Sequence, residues 1–209
     1  MDFDLVIFDC DGVLVDSEMI SARVFSEVIQ GAGIDMSPEE VFTTFKGGSM
    51  GASLAYVEDI LGGPASFDIE KEYRSACDVA FRNEMRPVAG IQEVLSTVKV
   101  SKCVGSNGPR SKINLNLHLT GLDRFFEDKA IFSAYDFQKW KPDPTMFLEA
   151  AKSFRCPPNR CLVVGDSIAD VNAATAAGLT CYSYAPHGDM EGLESAGGIV
   201  FESMFDLSF

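Results

Sequence analysis

Short apolar runs closed by polar or small residues punctuate this chain at wide intervals. Residues 5–8 (Leu-Val-Ile-Phe) stop at Asp9, Asp11 and Gly12, the pattern of a buried strand ending where the backbone must turn. The same form recurs at Cys103-Val104-Gly105 before Ser106, at Ala130-Ile131-Phe132 before Ser133, at Leu162-Val163-Val164 before Gly165, and over residues 180–184. Five strands are predicted. Between them, residues 147–154 and 168–177 read as helices, and strands alternating with helices imply a parallel sheet covered on both faces. In such sheets ligands sit beyond the carboxyl ends of the strands, which is where the polar clusters fall.

One stretch breaks the alternation. Residues 17–85 show little strand signal, whereas Ile20, Val24, Phe25 and Val28 recur at helical spacing, as do Leu54, Val57 and Leu61. The segment reads as a helical insert, with Gly62-Gly63-Pro64 separating two of its helices and residues 86–90 returning to the sheet. Crossings near Val15-Asp16 and Arg86-Pro87 give one unit of residues 1–15 and 87–209 and a second of residues 16–86.

A chain of 209 residues, 46% hydrophobic and 23% charged, can bury a core without covalent staples. Its net charge of −14 would repel a phosphate backbone over most of the surface, so nucleic acid is not an expected partner. No basic leader or membrane-length apolar run opens the sequence, which points to a cytoplasmic protein with no membrane partner. The six cysteines form no CxxC pair and are expected as reduced thiols. His118 and His187 are the only histidines, so carboxylates are the abundant chemical resource.

Four clusters carry candidate chemistry. In Asp9-Cys10-Asp11-Gly12, residues two apart on a strand point to one side, so Asp9 and Asp11 can face one pocket while Cys10 turns into the core. Close carboxylates repel unless a cation lies between them, although a solvated turn would also use such residues. Gly165-Asp166-Ser167 with Asp170 could be simple helix capping. Together with Asp9 and Asp11 it forms a hard-oxygen set suited to Mg²⁺ and a substrate phosphate. Ser106-Asn107-Gly108-Pro109 is an ordinary N-terminal turn or an anion cradle. In Lys141-Pro142-Asp143-Pro144 the prolines would hold Lys141 in one direction, as a solvated cation or as a point charge among acids and phosphate.

These four elements in this order resemble the motifs of the haloacid dehalogenase superfamily, and the match runs from Asp9 to Asp170. The insert directly after the first motif resembles the small helical cap of its beta-phosphoglucomutase-like branch. Phe45-Lys46-Gly47 and Trp140-Lys141-Pro142-Asp143-Pro144 are more narrowly similar to 6-phosphogluconate phosphatase-like members. The resemblance implies an α/β, Rossmann-like core carrying that cap. It further implies a Mg²⁺-dependent phosphatase acting on a small phosphate ester, such as a sugar or sugar-acid phosphate. By the same resemblance Asp9 is the nucleophile that becomes an aspartyl-phosphate, and Asp11 the acid and base. Asp9, the Asp11 main-chain carbonyl and Asp166 hold the metal, with Asp170 in outer support. Ser106, Asn107 and Lys141 bind phosphoryl oxygens.

Two departures from the family pattern bear on this. Mutases of this type carry a hinge histidine where this chain, counted from Asp16, has Ser21, which lowers the mutase alternative. Some relatives have an acid where this chain has Gly165, which shifts metal support toward Asp170. In the cap, Lys46 is the candidate partner of a substrate carboxylate or second phosphate, and it also keeps a phosphonate hydrolase open as an alternative. A dehalogenase has no evident use for Asp11. A non-catalytic binding protein would not be expected to retain both Asp9 and Asp11. Residues 47–51 (Gly-Gly-Ser-Met-Gly) fit the serine-hydrolase elbow, but that elbow needs a preceding strand, and the segment lies in a helical insert.

Overall fold

The computed structural model describes residues 3–46, 48–186, 188 and 190–207. The chain divides into two compact units, Met1–Val15 with Pro87–Phe209, and Asp16–Arg86.

The first unit begins with β1 (Leu5–Phe8), all four residues of which are buried. The second unit then contributes α1 (Glu18–Gly31), α2 (Pro38–Phe45), α3 (Met50–Leu61) and α4 (Ile69–Glu84). The chain returns to the first unit with α5 (Ile91–Thr97), β2 (Ser101–Ser106), α6 (Arg110–Thr120), β3 (Ile131–Ser133), α7 (Ala134–Phe137) and α8 (Thr145–Ser153). It closes with β4 (Cys161–Gly165), α9 (Ile168–Ala177), β5 (Thr180–Tyr184), α10 (Met190–Ser195) and β6 (Ile199–Phe201).

The strands form one parallel sheet in the order β3-β2-β1-β4-β5-β6. The chain steps outward from β1 in both directions, so the crevice at the carboxyl ends of β1 and β4 is the topological switch point where α/β sheets place ligands. Register levels the strand ends there: Phe8 pairs with Val104 on one side and Val164 on the other, and the Asp9 amide donates to the Val164 carbonyl at 2.9 Å. The continuous apolar character of β1 and β4 follows from burial on both faces. Leu5, Ile7, Cys103 and Val163 pack with Met146, Phe147 and Ala150 of α8 and with Val171 and Ala174 of α9.

Among the described residues six strands are present where the hydrophobic pattern predicted five. The addition, β6, is a three-residue edge strand whose Ile199 is half exposed, so no buried run announces it. Among the described residues, the helices are neither long nor apolar enough to cross a membrane.

The second unit has its own core of Ala22, Phe25, Ile29, Ile34, Val41, Val57 and Ile69. Phe25 meets Phe45 and Tyr73 edge-on with centroids 5.3 and 5.2 Å apart, and Phe45 meets Tyr56 at 5.3 Å, an arrangement aromatic quadrupoles favour. Local signals set its helix starts. Ser37 and Glu40 cap α2 reciprocally, Ser49 caps α3 by accepting from the Ala52 amide at 3.2 Å, and Asp68 caps α4. Ser49 is thus a helix cap between α2 and α3 rather than a nucleophile after a strand; Gly47, the first residue of the elbow pattern, lies outside the described residues.

Candidate active site

Asp9 is the first residue past β1. Its Oδ1 accepts from the Cys10 amide at 2.7 Å and lies 2.8 Å from Lys141 Nζ. Among the described residues, Oδ2 carries no such partner. One oxygen is therefore held and the other is available. Cys10 is buried in the core, as alternation along a strand requires. The turn beyond it is tight: the Leu14 and Val15 amides both donate to the Cys10 carbonyl, and Gly12 takes the left-handed conformation (φ 75°) that a side chain would resist.

Lys141 enters from the loop before α8, its side chain only 3% exposed, and its ammonium also lies 2.6 Å from Asp170 Oδ1. Asn107 fixes that loop. Its Oδ1 accepts from the Lys141 amide at 2.8 Å and its Nδ2 reaches the Lys141 carbonyl at 3.5 Å. Ser106, at the end of β2, is buried and accepts from the Gly108 amide at 3.1 Å, while Ser133 Oγ donates to the Gly108 carbonyl at 2.7 Å. The 106–108 turn is pinned on both sides, and the Asn107 side chain holds the Lys141 loop.

Asp166 follows β4 and is buried. Asp170, in the first turn of α9, is fully buried and occupied at both oxygens: Oδ1 takes Lys141, while Oδ2 accepts from the Ser167 amide at 3.2 Å and from the Ser167 hydroxyl at 2.5 Å. Asp170 thus caps α9 through one oxygen and meets Lys141 through the other. Both Asp170 oxygens are thereby engaged.

Oxygens of Asp9, Asp166 and Asp170 all lie within 4.8 Å of one another. Three carboxylates gathered in one buried place form a hard-oxygen donor set that fits Mg²⁺. Burial pushes the Asp9 carboxyl up to about 7, against the pull of Lys141, with Asp170 and Asp11 adding to the rise. Burial works to lower Lys141, but the carboxylates of Asp170 and Asp9 outweigh it and hold the ammonium above its ordinary range.

Asp11 lies on the α6 side of the same strand end. Lys112 Nζ is 2.8 Å from its Oδ2 and Asn116 Nδ2 is 3.4 Å from its Oδ1. Neither residue was among the sequence candidates. Their signal was a Lys and an Asn four apart on the helix after the Ser106-Asn107-Gly108 turn, which meets one carboxylate only once the fold brings residue 11 to it. Lys46 belongs to the other unit, where it caps the C-terminus of α2; its ammonium lies 3.9 Å from Glu18 and over the Phe42 ring at 5.3 Å. His118 is exposed and pairs with Asp123 at 3.0 Å, and His187 lies outside the described residues.

The haloacid dehalogenase-like hydrolase family matches residues 3–178. The chain belongs to that family. It is 36% identical over 191 residues to the 6-phosphogluconate phosphatase of Escherichia coli (strain K12), covering 88% of this chain and 84% of the relative. A haloacid dehalogenase-like protein of unknown function from Agrobacterium tumefaciens str. C58 superposes with a TM-score of 0.90 at 32% identity, over 98% of this chain and 95% of that one. A haloacid dehalogenase family hydrolase from Deinococcus radiodurans R1, solved with bound phosphate and sodium, superposes with a TM-score of 0.83 at 28% identity, over 97% and 92%. The chain is thus an enzyme, a haloacid dehalogenase-type hydrolase with a Rossmann-like core.

Proposed function

We propose that this haloacid dehalogenase-type hydrolase is a cytosolic, Mg²⁺-dependent phosphatase that cleaves a small phosphorylated metabolite, a sugar or sugar-acid phosphate, through an aspartyl-phosphate on Asp9. The observation that carries the reading is the state of Asp9: its Oδ1 is fixed by Cys10 and Lys141, and its carboxylate stands with those of Asp166 and Asp170 within 4.8 Å. The identity to a 6-phosphogluconate phosphatase supports the substrate class.

A carboxylate oxygen of Asp9 attacks phosphorus as the bond to the ester oxygen breaks. Asp11 gives its proton to that leaving oxygen, and the alcohol departs. Asp11 then takes a proton from water, whose oxygen attacks the same phosphorus, freeing phosphate and restoring the Asp9 carboxylate. Ser106 and the Asn107 turn hold phosphoryl oxygens, and Lys141, kept in place by Asp170, offsets their charge. An oxygen of Asp9, the Asp11 main-chain carbonyl and Asp166 would hold Mg²⁺, which when bound would supply positive charge to the phosphoryl group. Residues 16–86 serve as the cap that selects substrate, with Lys46 as its anion-recognising residue.

A panel of phosphorylated metabolites assayed with Mg²⁺, and with chelator as control, tests this. Chelator-sensitive turnover, fastest on sugar or sugar-acid phosphates, is the expected result. No turnover of any phosphate ester with Mg²⁺ present would overturn it.

A further inference from the structure

Helix α6 presents two polar side chains, one turn apart, to a single carboxylate. Residues four apart share a helix face, and from that face Lys112 reaches Asp11 Oδ2 at 2.8 Å while Asn116 reaches Oδ1 at 3.4 Å. Asn116 is fully buried in a helix interior, where an amide is both a poor helix former and costly to desolvate. Its Oδ1 has no hydrogen-bond partner among the described residues. Packing alone would be served better by Leu at that position. The hydrogen bond its side chain does make is the one to Asp11.

We infer that Lys112 and Asn116 are positioning residues for Asp11, fixing the direction of the carboxyl group that exchanges a proton with the leaving oxygen. This rests on the role proposed for Asp11 above. Each carboxyl oxygen has two lone pairs. Lys112 engages one on Oδ2 and Asn116 one on Oδ1, so rotation of the group is restrained from both oxygens. Restraining a reacting group in its productive rotamer lowers the entropy lost on reaching the transition state. The proton balance is unchanged: Asp11 loses one proton to the departing alcohol and regains one from water.

Esters that differ in their need for a proton separate this from a structural role. A nitrophenyl phosphate releases nitrophenolate, a stable anion, whereas an alkyl phosphate such as the preferred metabolite releases an alkoxide that must be protonated to depart. We would measure kcat/KM for both in the wild type, Lys112→Met, Lys112→Arg, Asn116→Leu and Asp11→Ala. Lys112→Met is expected to lower the alkyl-to-aryl ratio by about tenfold or more, since general acid catalysis contributes in that range. Asn116→Leu should move the ratio the same way, and Lys112→Arg should recover most of it. Should Lys112→Met fail to fold, Lys112→Gln at this partly exposed position carries the same measurement. Equal losses on both esters, or an unmoved ratio in the Lys112 variants while Asp11→Ala shifts it, would overturn the positioning role alone. An unmoved ratio in Asp11→Ala would instead remove the acid role, and the positioning role with it.

Discussion

Asp170 occupies the space that a side chain on Gly165 would fill: a Cβ added there would lie 2.4 Å from Asp170 Cβ and 2.5 Å from its Cγ. The carboxylate cannot simply step aside, because its two oxygens hold Lys141 and accept from Ser167. Gly165→Ala is therefore expected to force Asp170 and the α9 cap apart, destabilising the fold by about 1–3 kcal/mol, the usual range for overpacking. Displacing Lys141 from Asp9 should lower kcat by about a hundredfold, as ångström-scale misplacement of reacting groups does. Chemical denaturation and steady-state kinetics read the two effects. A variant at wild-type level in both would show that Asp170 does not position Lys141.

Asp9 gives the reading its most direct test. Asp9→Asn retains the shape but lacks the nucleophilic oxygen, so turnover should fall by at least about 10³-fold with the circular dichroism spectrum unchanged. The variant also has a pH signature. Burial raises the Asp9 carboxyl to about 7 from an ordinary 3.8. A carboxyl raised on folding contributes stability that is complete below its unfolded value and is lost as pH rises through its folded one. In metal-free protein, the wild type should lose ground to Asp9→Asn as pH rises from about 4 to about 7 and stay level above that. Parallel melting curves across that window would show that Asp9 carries no such burden.

The sheet was legible because β1 and β4 are apolar along their whole length and end on acids, a pattern that burial on both faces imposes. Strand β6 was not, because a half-exposed three-residue edge needs no such run. Acids directly following apolar runs marked Asp9 and Asp166 by position alone. The partners of those acids were hidden for a different reason. Lys112 and Asn116 read as ordinary helix residues until β2 and α6 carry them to Asp11, a pairing across 101 and 105 residues. The bearing of Gly165 on Asp170 is likewise a matter of volume, which no spacing rule reports. Asn107 was expected at phosphate; that its side chain also holds the Lys141 loop was not legible from spacing.

Lys46 carries the substrate preference in the proposed reading. An ammonium that meets a substrate carboxylate contributes about 1.5–3 kcal/mol, the range for hydrogen bonds to charged groups, so its removal should reduce kcat/KM for a sugar-acid phosphate by about ten- to a hundredfold. Lys46→Ala should affect a small aryl phosphate much less. Loss of its contact with Glu18, partly exposed at 3.9 Å, should change stability by no more than about 1 kcal/mol. Kinetics on the two substrates decide the matter: equal losses would take Lys46 out of substrate selection.

Metal dependence should be visible without any turnover. Asp9, Asp166 and Asp170 crowd one buried place, and an ion that binds the folded state alone raises its stability by mass action. Adding Mg²⁺ after chelation should raise the melting temperature, by an amount that grows with Mg²⁺ concentration. Both Asp170 oxygens are engaged by Lys141 and Ser167, and Asp166 is the side chain that the proposed reading assigns to the ion. Asp166→Ala should abolish most of the Mg²⁺-induced shift and move the Mg²⁺ requirement for catalysis steeply upward. The comparison that matters is the shift itself, because removing a carboxylate from a crowded acidic site can raise the metal-free melting temperature. A Mg²⁺ titration of Asp166→Ala that overlays the wild type would remove Asp166 from the metal site.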